Sequence, residues 1–261
     1  MIKIIAFNAL RESFRQRLIL VAAVFALALA AASRLFLKLD LGHEQTRFVF
    51  DFSSGAFDFF GAIIAVALAC GLFAAEVENR TIITLLSKPV GVFDFVAGKL
   101  CGVAAALGLW AAAVFAAAAV SLALTESAAA IGAETAGAVP VNYAGLALYC
   151  VCQWLKLCMC AAVAAAVCSL CGSFLFALAV SFLCVFASVM GEAVVGLGAD
   201  SNWAVAATAF LLPDFNLFNC AEKFVFANVD WRVVAHICGY AMVYCAAAAA
   251  CAAFCYSRRD F

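Results

Sequence analysis

The chain has 261 residues, of which 69% are hydrophobic and 12% are charged, and its formal net charge is −1. Soluble domains are about half apolar and about a quarter charged, so this composition excludes an ordinary soluble protein and indicates helices surrounded by lipid. The near-neutral charge also argues against a nucleic-acid partner. We therefore predict an all-α, polytopic membrane protein with a single transmembrane domain over residues 1–261.

The chain begins with an amphipathic segment, residues 1–17, ahead of the first long apolar run. At helical spacing one stripe of this segment is apolar: Phe7, Leu10, Phe14 and Leu18. Charged residues such as Arg11 and Arg15 fall off that stripe. Because a helix with one apolar and one charged face lies flat in the membrane interface, we predict an interfacial helix on the cytoplasmic surface.

Six segments are apolar enough to cross a membrane as helices, which takes about 20 residues each. The spans are predicted at about Leu18–Phe36, Phe57–Ala75, Leu100–Leu124, two within Thr135–Gly191, and Val233–Tyr256. The stretch 135–191 is too long for one helix and fits two, joined by a turn at Cys171-Gly172-Ser173. Helices are required because unpaired backbone groups are too costly in lipid and the sequence lacks the alternation of a β-barrel.

The basic residues are unequally divided between the two sides of this predicted bundle. With six spans both termini share one side, which carries nine of the fifteen Lys and Arg residues, while the other side carries five. Since cytoplasmic loops hold the excess of Lys and Arg, we predict cytoplasmic termini. The predicted location is the bacterial cytoplasmic (inner) membrane.

The longest predicted external segment, residues 192–232, is still rich in apolar residues, above all from Trp203 to Leu212. A loop running through water would be more polar. The segment is therefore expected to dip back into the outer leaflet as short re-entrant helices between the fifth and sixth spans.

Fourteen cysteines lie almost entirely within the apolar runs. The favoured interpretation is that they pack as small apolar side chains. Cys168 and Cys171 have CxxC spacing at a predicted turn, so a metal or redox site there is kept as an alternative. No metal site is predicted, and no spacing typical of a catalytic site is found.

Residues 76–99 form the only long cytoplasmic loop of the predicted topology, between the second and third spans. Glu76 and Arg80 are four residues apart and can pair on one helix face. The opposite face is apolar, with Ile82, Leu85 and Leu86. Pro89 disfavours helix at Lys88 and ends the element. The pattern predicts a short amphipathic helix along the cytoplasmic face, with a solvated connector as the alternative.

The run EVENRTIITLLSKPVGVFDFVAGKL in this loop resembles the signature cytoplasmic loop of ABC transporter permeases of the type-two exporter class, the ABC-2 family. The matching residues are Glu76, Glu78, Thr81, Leu85, Leu86, Ser87, Lys88, Pro89, Gly98 and Lys99. The stretch Leu212-Pro213-Asp214-Phe215 and the basic tail at Arg258-Arg259 resemble the family more loosely.

This resemblance implies a permease subunit that pairs with a second permease or a copy of itself, in contact with membrane lipid. Each permease would bind a cytoplasmic ABC ATPase subunit through a coupling helix. The coupling residues that the resemblance implies are Glu76, Glu78, Arg80, Thr81, Leu85, Leu86, Ser87, Lys88 and Pro89. ATP and Mg would then be bound by the ATPase, because this sequence has no Gly-x4-Gly-Lys-Ser/Thr loop and no cofactor is expected on it.

Lys156 is a single charge near the middle of the predicted fourth span. A central lysine costs about 2.5–3.5 kcal/mol on insertion scales and faces protein or water by default. Glu192, Gln153 or a polar substrate could satisfy it, and we hypothesise that it lines the interface between permeases. The alternative is that the span is shifted along the sequence and the side chain reaches the membrane surface.

Two other functions compete with the permease. One is a non-transporting membrane anchor or assembly factor for an ATPase complex, and the other is an intramembrane enzyme that uses Lys156 or the cysteines. Association with an ATPase would favour both the permease and the anchor or assembly factor over the enzyme. The enzyme has the weakest support in the sequence. The sequence does not select a substrate.

Overall fold

A computed structural model describes residues 2–15, 45–78, 91–131, 141–191 and 212–258 of the chain. Every regular element in these ranges is helical, which confirms the all-α prediction for this part of the chain. The elements are α1 (Ile2–Arg15), α2 (Gln45–Glu78), α3 (Val92–Ile131), α4 (Tyr143–Leu170), α5 (Phe174–Val189), a 3₁₀ helix (Asn216–Glu222), α6 (Lys223–Phe226) and α7 (Trp231–Ser257).

Four of these helices are long and apolar enough to cross a membrane. They contain the stretches Thr46–Ala74, Val92–Leu124, Tyr143–Leu170 and Trp231–Ser257, which correspond to the predicted second, third, fourth and sixth spans. The predicted first span lies outside the described residues. The predicted fifth falls on α5, whose 16 residues reach only about 24 Å at 1.5 Å per residue. Six spans are therefore not confirmed.

The helices extend beyond the predicted span limits. Those limits were placed at charged residues, but a helix can continue past a charge once its end leaves the hydrocarbon. α2 begins at Gln45, twelve positions before the predicted start at Phe57, and runs through Arg47 and Asp51. Asp58 consequently lies well inside helix α2.

Helix α4 lies at the centre of the bundle and packs against α2, α3, α5, α6 and α7. Many of its buried positions carry small side chains: Ala161, Ala162, Ala164, Ala165 and Cys168. In lipid, small side chains allow helices to approach closely. The turn predicted at Cys171–Ser173 is present and leads into α5. Helix α4 is thus the element against which most of the other helices pack.

Helix α1 packs on α3 at two glycines. A Cβ atom on Gly102 would lie 2.6 Å from the Cβ of Ala9, and one on Gly98 would lie 2.9 Å from the Cβ of Ile5. The predicted N-terminal helix is thus present, and its close packing on α3 requires glycine at Gly98 and Gly102. Phe7 and Phe14 of its predicted apolar stripe are exposed, whereas Leu10 packs against the core.

Residues 212–230 form hydrogen bonds and close contacts with the start of α4 and with α7. The backbone N–H of Asn142 donates to the carbonyl of Val225 at 2.9 Å, and the N–H of Asp214 donates to the hydroxyl of Tyr240 at 2.8 Å. A Cβ on Gly145 would lie 1.8 Å from the carbonyl oxygen of Phe224. Short helices are thus present at 216–226. The predicted re-entrant course of this segment is not confirmed, and residues 192–211, which contain most of its apolar stretch, lie outside the described residues.

All fourteen cysteines are free thiols. Cys70, Cys152, Cys160 and Cys168 are buried in the core, where they pack as small side chains. The Sγ atoms of Cys70 and Cys168 are 3.5 Å apart. Within the described residues no group of three or more His, Cys, Asp or Glu side chains is placed to hold a metal ion.

Candidate functional site

An ion pair joins two of the membrane-spanning helices. The Nζ atom of Lys156 on α4 donates to Oδ2 of Asp58 on α2 at 2.8 Å, and the two side chains are 10% and 26% exposed. Two charges in apolar surroundings are stable only when they are paired or hydrated. Lys156 is therefore satisfied from α2, by a residue that the sequence analysis did not consider as its partner.

Aromatic packing from α3 fixes the two helices that carry this pair. The ring of Phe57, adjacent to Asp58, stacks on Trp110 of α3 at a centroid distance of 4.9 Å. On the α4 side, the indole N–H of Trp154 donates to the carbonyl of Ala104 at 2.8 Å. Contacts with α3 thus help to fix the parts of α2 and α4 that carry the two charged side chains.

Further polar side chains lie beside the pair on α4. Gln153 and Tyr149 are fully buried, and Ser54 and Gln153 are close neighbours of the Tyr149 hydroxyl. Even so, the amide atoms of Gln153, the Tyr149 hydroxyl and Oδ1 of Asp58 make no hydrogen bond to any described residue. Buried polar groups are rarely left unsatisfied, and Tyr149, Gln153 and Ser54 form a buried polar cluster next to the ion pair.

Glu222, at the end of the 3₁₀ helix, adds a second carboxyl to this region. Its pKa is raised above the usual range mainly by burial, and further by the negative charges of Asp51 and Asp58. The positive charges of Lys156 and Arg47 act in the opposite direction. Glu222 is therefore near enough to the ion pair to sense both of its charges.

A cavity of about 410 Å³ lies beside the ion pair, between α2, α4, α5 and the 3₁₀ helix. Its polar lining consists of Asp58, Lys156, Asn216 and Asn219. Its apolar lining includes Phe59, Ala62, Ile63, Leu157, Cys160, Phe182, Val185, Phe186, Val189, Met190 and Phe215. Because Phe59 and Phe186 are also exposed on the outside of the bundle, the cavity opens sideways. Its size and mixed lining are typical of small-molecule sites.

The predicted coupling residues lie at the other end of α2. Glu76 and Glu78 belong to the last turn of that helix, although their side chains lie outside the described part of the structure. Residues 79–90 are outside it as well, and they include Arg80, Thr81, Leu85, Leu86, Ser87, Lys88 and Pro89. Gly98 and Lys99 are part of α3.

Lys99 connects α2 to α3 at this end. Its ammonium group donates to the carbonyl of Leu72 and lies 5.4 Å and 4.9 Å from the ring centroids of Phe73 and Phe95. The residue is only 4% exposed. An ammonium between a backbone carbonyl and two aromatic faces is held by a charge-assisted hydrogen bond and by cation–π attraction.

Sequence reasoning singled out Lys156 but missed Asp58, Glu222 and the packing role of Lys99. Asp58 carried a usable signal, since it is an acidic residue among Phe57, Phe59 and Phe60. The pairing itself joins residues 98 positions apart, so it depends on which helices become neighbours. Gln153, considered as a partner of Lys156, is nearby without bonding it, and Glu192 lies outside the described residues.

Comparisons with known proteins bear on the family of this chain. A search of curated proteins returned no match. The family model described as ABC-2 family transporter protein matches residues 4–261, and permeases of this family generally pair with a cytoplasmic ABC ATPase. The chain, a multi-pass membrane protein, therefore belongs to the ABC-2 family of transporter proteins.

Proposed function

We propose that this chain is the permease subunit of an ATP-driven exporter, with the substrate path in its membrane helices and ATP hydrolysis in a separate ABC ATPase. Family membership over residues 4–261 carries the proposal. The sequence supports the division of labour, because it contains no phosphate-binding loop of the Gly-x4-Gly-Lys-Ser/Thr type. ATP and Mg are thus bound by the partner.

The contacts of Lys99 support coupling through the 76–99 segment. This segment joins the end of α2 to the start of α3, and Lys99 attaches the first turns of α3 to the Leu72 carbonyl of α2. When the ATPase displaces the 76–99 segment, α2 and α3 therefore move together rather than relative to each other. Since α2 also carries Asp58, the same movement reaches the cavity.

The proposal includes the partners and the orientation. A second permease, either a copy of this chain or a related one, completes the transport unit, and lipid contacts the exposed apolar stripe of α1. Both termini lie in the cytoplasm of a bacterium, which places residues 76–99 on the ATPase side of the inner membrane. The short helices at 216–226 then lie at the outer leaflet.

Purification of the native complex tests the proposal. We expect an ATPase subunit with a phosphate-binding loop to co-purify with this chain, and its activity in proteoliposomes to respond to transported substrate. The double variant Glu78→Arg with Leu85→Asp, which places a wrong charge and a polar group on the coupling helix, should abolish the association. Glu12→Arg on the exposed face of α1 is the matched control.

Two results would contradict the proposal. If no ATPase co-purifies, the ABC reading of the chain's role fails. If the ATPase binds but no substrate ever alters its activity, the chain is an anchor or assembly factor instead.

A further inference from the structure

The lining of the cavity is divided by chemistry. Asp58, Asn216 and Asn219 lie toward the end at which α2 and α4 begin, whereas Ile63, Cys160 and Phe182 lie one or more helical turns deeper. A guest that matched this cavity would carry one polar group and an apolar body. Its apolar body would be small, since the whole cavity holds about 410 Å³.

The charges around the cavity favour a positive polar group. Lys156 and Asp58 already neutralise each other at 2.8 Å, so a guest of either charge would share its counter-ion with the pair. The carboxylate is the more accessible half of the pair, because the Asp58 side chain is 26% exposed and that of Lys156 is 10% exposed, and a carboxylate offers about four acceptor sites. Glu222 lies nearby and adds negative potential.

The apolar walls favour the same sign of charge. Four phenylalanine rings line the cavity: Phe59, Phe182, Phe186 and Phe215. The face of an aromatic ring attracts ammonium groups and offers nothing comparable to an anion. Acceptor oxygens and ring faces are therefore combined in one site.

From these features we infer that the cavity binds amphiphilic amines, with Asp58 as the counter-ion of the ammonium group and the phenylalanine rings around the apolar body. This inference rests on the proposed transport function and specifies the substrate class that it handles. Asp58 thereby has two roles, since it pairs with Lys156 and accepts from the guest.

The experiment uses three fluorescent probes that differ in one group. Dansylcadaverine carries an ammonium, its N-acetyl derivative is neutral, and N-dansyl-6-aminohexanoate carries a carboxylate. Binding to the full chain in phosphatidylcholine nanodiscs, with whatever subunits co-purify, is followed by dansyl fluorescence after subtraction of empty discs. We expect the ammonium probe to bind at least about tenfold more tightly than the other two, the effect of one charge-assisted hydrogen bond.

Variants then locate the site. Asp58→Asn should weaken the ammonium probe about tenfold and leave the acetylated probe unchanged, whereas the matched control Asp51→Asn, exposed on the same helix, should leave both within about twofold. Should Asp58→Asn fail to fold, Asp58→Glu and Phe186→Ala keep the test intact. The first should retain the preference for the ammonium, and the second should weaken every probe alike.

Equal binding of the three probes, no binding of any probe, or an Asp58→Asn protein with unchanged ammonium affinity would overturn the inference. These results are independent of ATPase co-purification, so failure of the site and failure of the transport function are distinguishable. Phosphatidylethanolamine in the discs separates two sources of such an amine. Competition with the probe assigns the site to a lipid headgroup, and unchanged affinity assigns it to a soluble amphiphile.

Discussion

Two lysines are buried in this bundle, and their surroundings differ. Lys99 is enclosed by the Leu72 carbonyl and the rings of Phe73 and Phe95, between two helices that it joins. Lys156 is paired with Asp58, whose side chain is 26% exposed, and it borders an open cavity. Burial of a charge therefore has two outcomes here, a closed helix clamp and an accessible polar site.

The difference shows that burial alone does not identify a functional residue. Both lysines are at most 10% exposed, and both interrupt an apolar run. What separates them is the remaining bonding capacity of their partners and the space beside them. We expect variants of the two residues to fail in different assays, as the following predictions specify.

The largest effect is expected for Lys156→Leu, which leaves the partly buried Asp58 carboxylate without its cation. Removal of one member of a buried pair costs about 3–5 kcal/mol, measured as a lower thermal unfolding temperature in detergent. The double variant Asp58→Leu with Lys156→Leu should recover most of this loss, yet bind no amine probe. A single variant as stable as the parent would show that the pair is hydrated rather than buried.

Next comes Lys99→Met, which removes the ammonium but keeps a side chain of similar length. We expect a loss of about 2 kcal/mol for a hydrogen bond from a charged group. Substrate should no longer alter ATPase activity in proteoliposomes, while probe binding persists. Lys3→Met, on the exposed face of α1, is the control, and a Lys99→Met complex with normal coupling would contradict the clamp.

A smaller effect is expected for Gly102→Ala, at the position where α1 packs on α3. The added Cβ would lie 2.6 Å from the Cβ of Ala9 and 2.7 Å from the Ala6 carbonyl oxygen, and such overpacking costs about 1–3 kcal/mol. The control is Gly239→Ala on α7, where nothing lies within 4 Å. That change should stabilise the helix by about 0.5–1 kcal/mol, so unfolding temperatures should move in opposite directions.

The smallest effect is expected for Glu222→Gln, at the end of the 3₁₀ helix near the ion pair. Burial raises the pKa of Glu222, so its ionisation costs folding free energy as the pH rises above the pKa of an unfolded Glu. The Gln variant should therefore unfold at a higher temperature than the parent at pH 7–8, and the difference should vanish below about pH 4. Glu12→Gln on α1 should show no such pH-dependent gain.

Much of the fold follows from local pattern. The apolar runs predicted four of the crossing helices, and the amphipathic stripe predicted α1. The turn at Cys171–Ser173 could be placed because the uninterrupted stretch exceeded one crossing. These features depend on nearest neighbours and on the length of a span, which a sequence displays directly.

The candidate site was less predictable because it depends on contacts between distant segments. Lys156 was conspicuous by its cost in lipid, but its pairing with Asp58 needs α2 and α4 to be neighbours. Lys99 was interpreted as the limit of a span, since nothing local indicates that a carbonyl of another helix will accept from it. The helices run beyond the predicted span limits, because charge marks where lipid ends and not where backbone hydrogen bonding ends.

The thiols have a practical consequence. Cys220 is exposed on the 3₁₀ helix, while every other cysteine belongs to α2, α3, α4, α5, α7 or the turn after α4. The unaltered protein thus contains its own topological marker. Cys101 and Cys251 are exposed as well, within α3 and α7, so labelling is compared with that of a Cys220→Ser variant. A membrane-impermeant maleimide applied to intact cells should label a thiol that this variant lacks if the segment is external, and Cys220-dependent labelling only in inverted vesicles would reverse the predicted orientation.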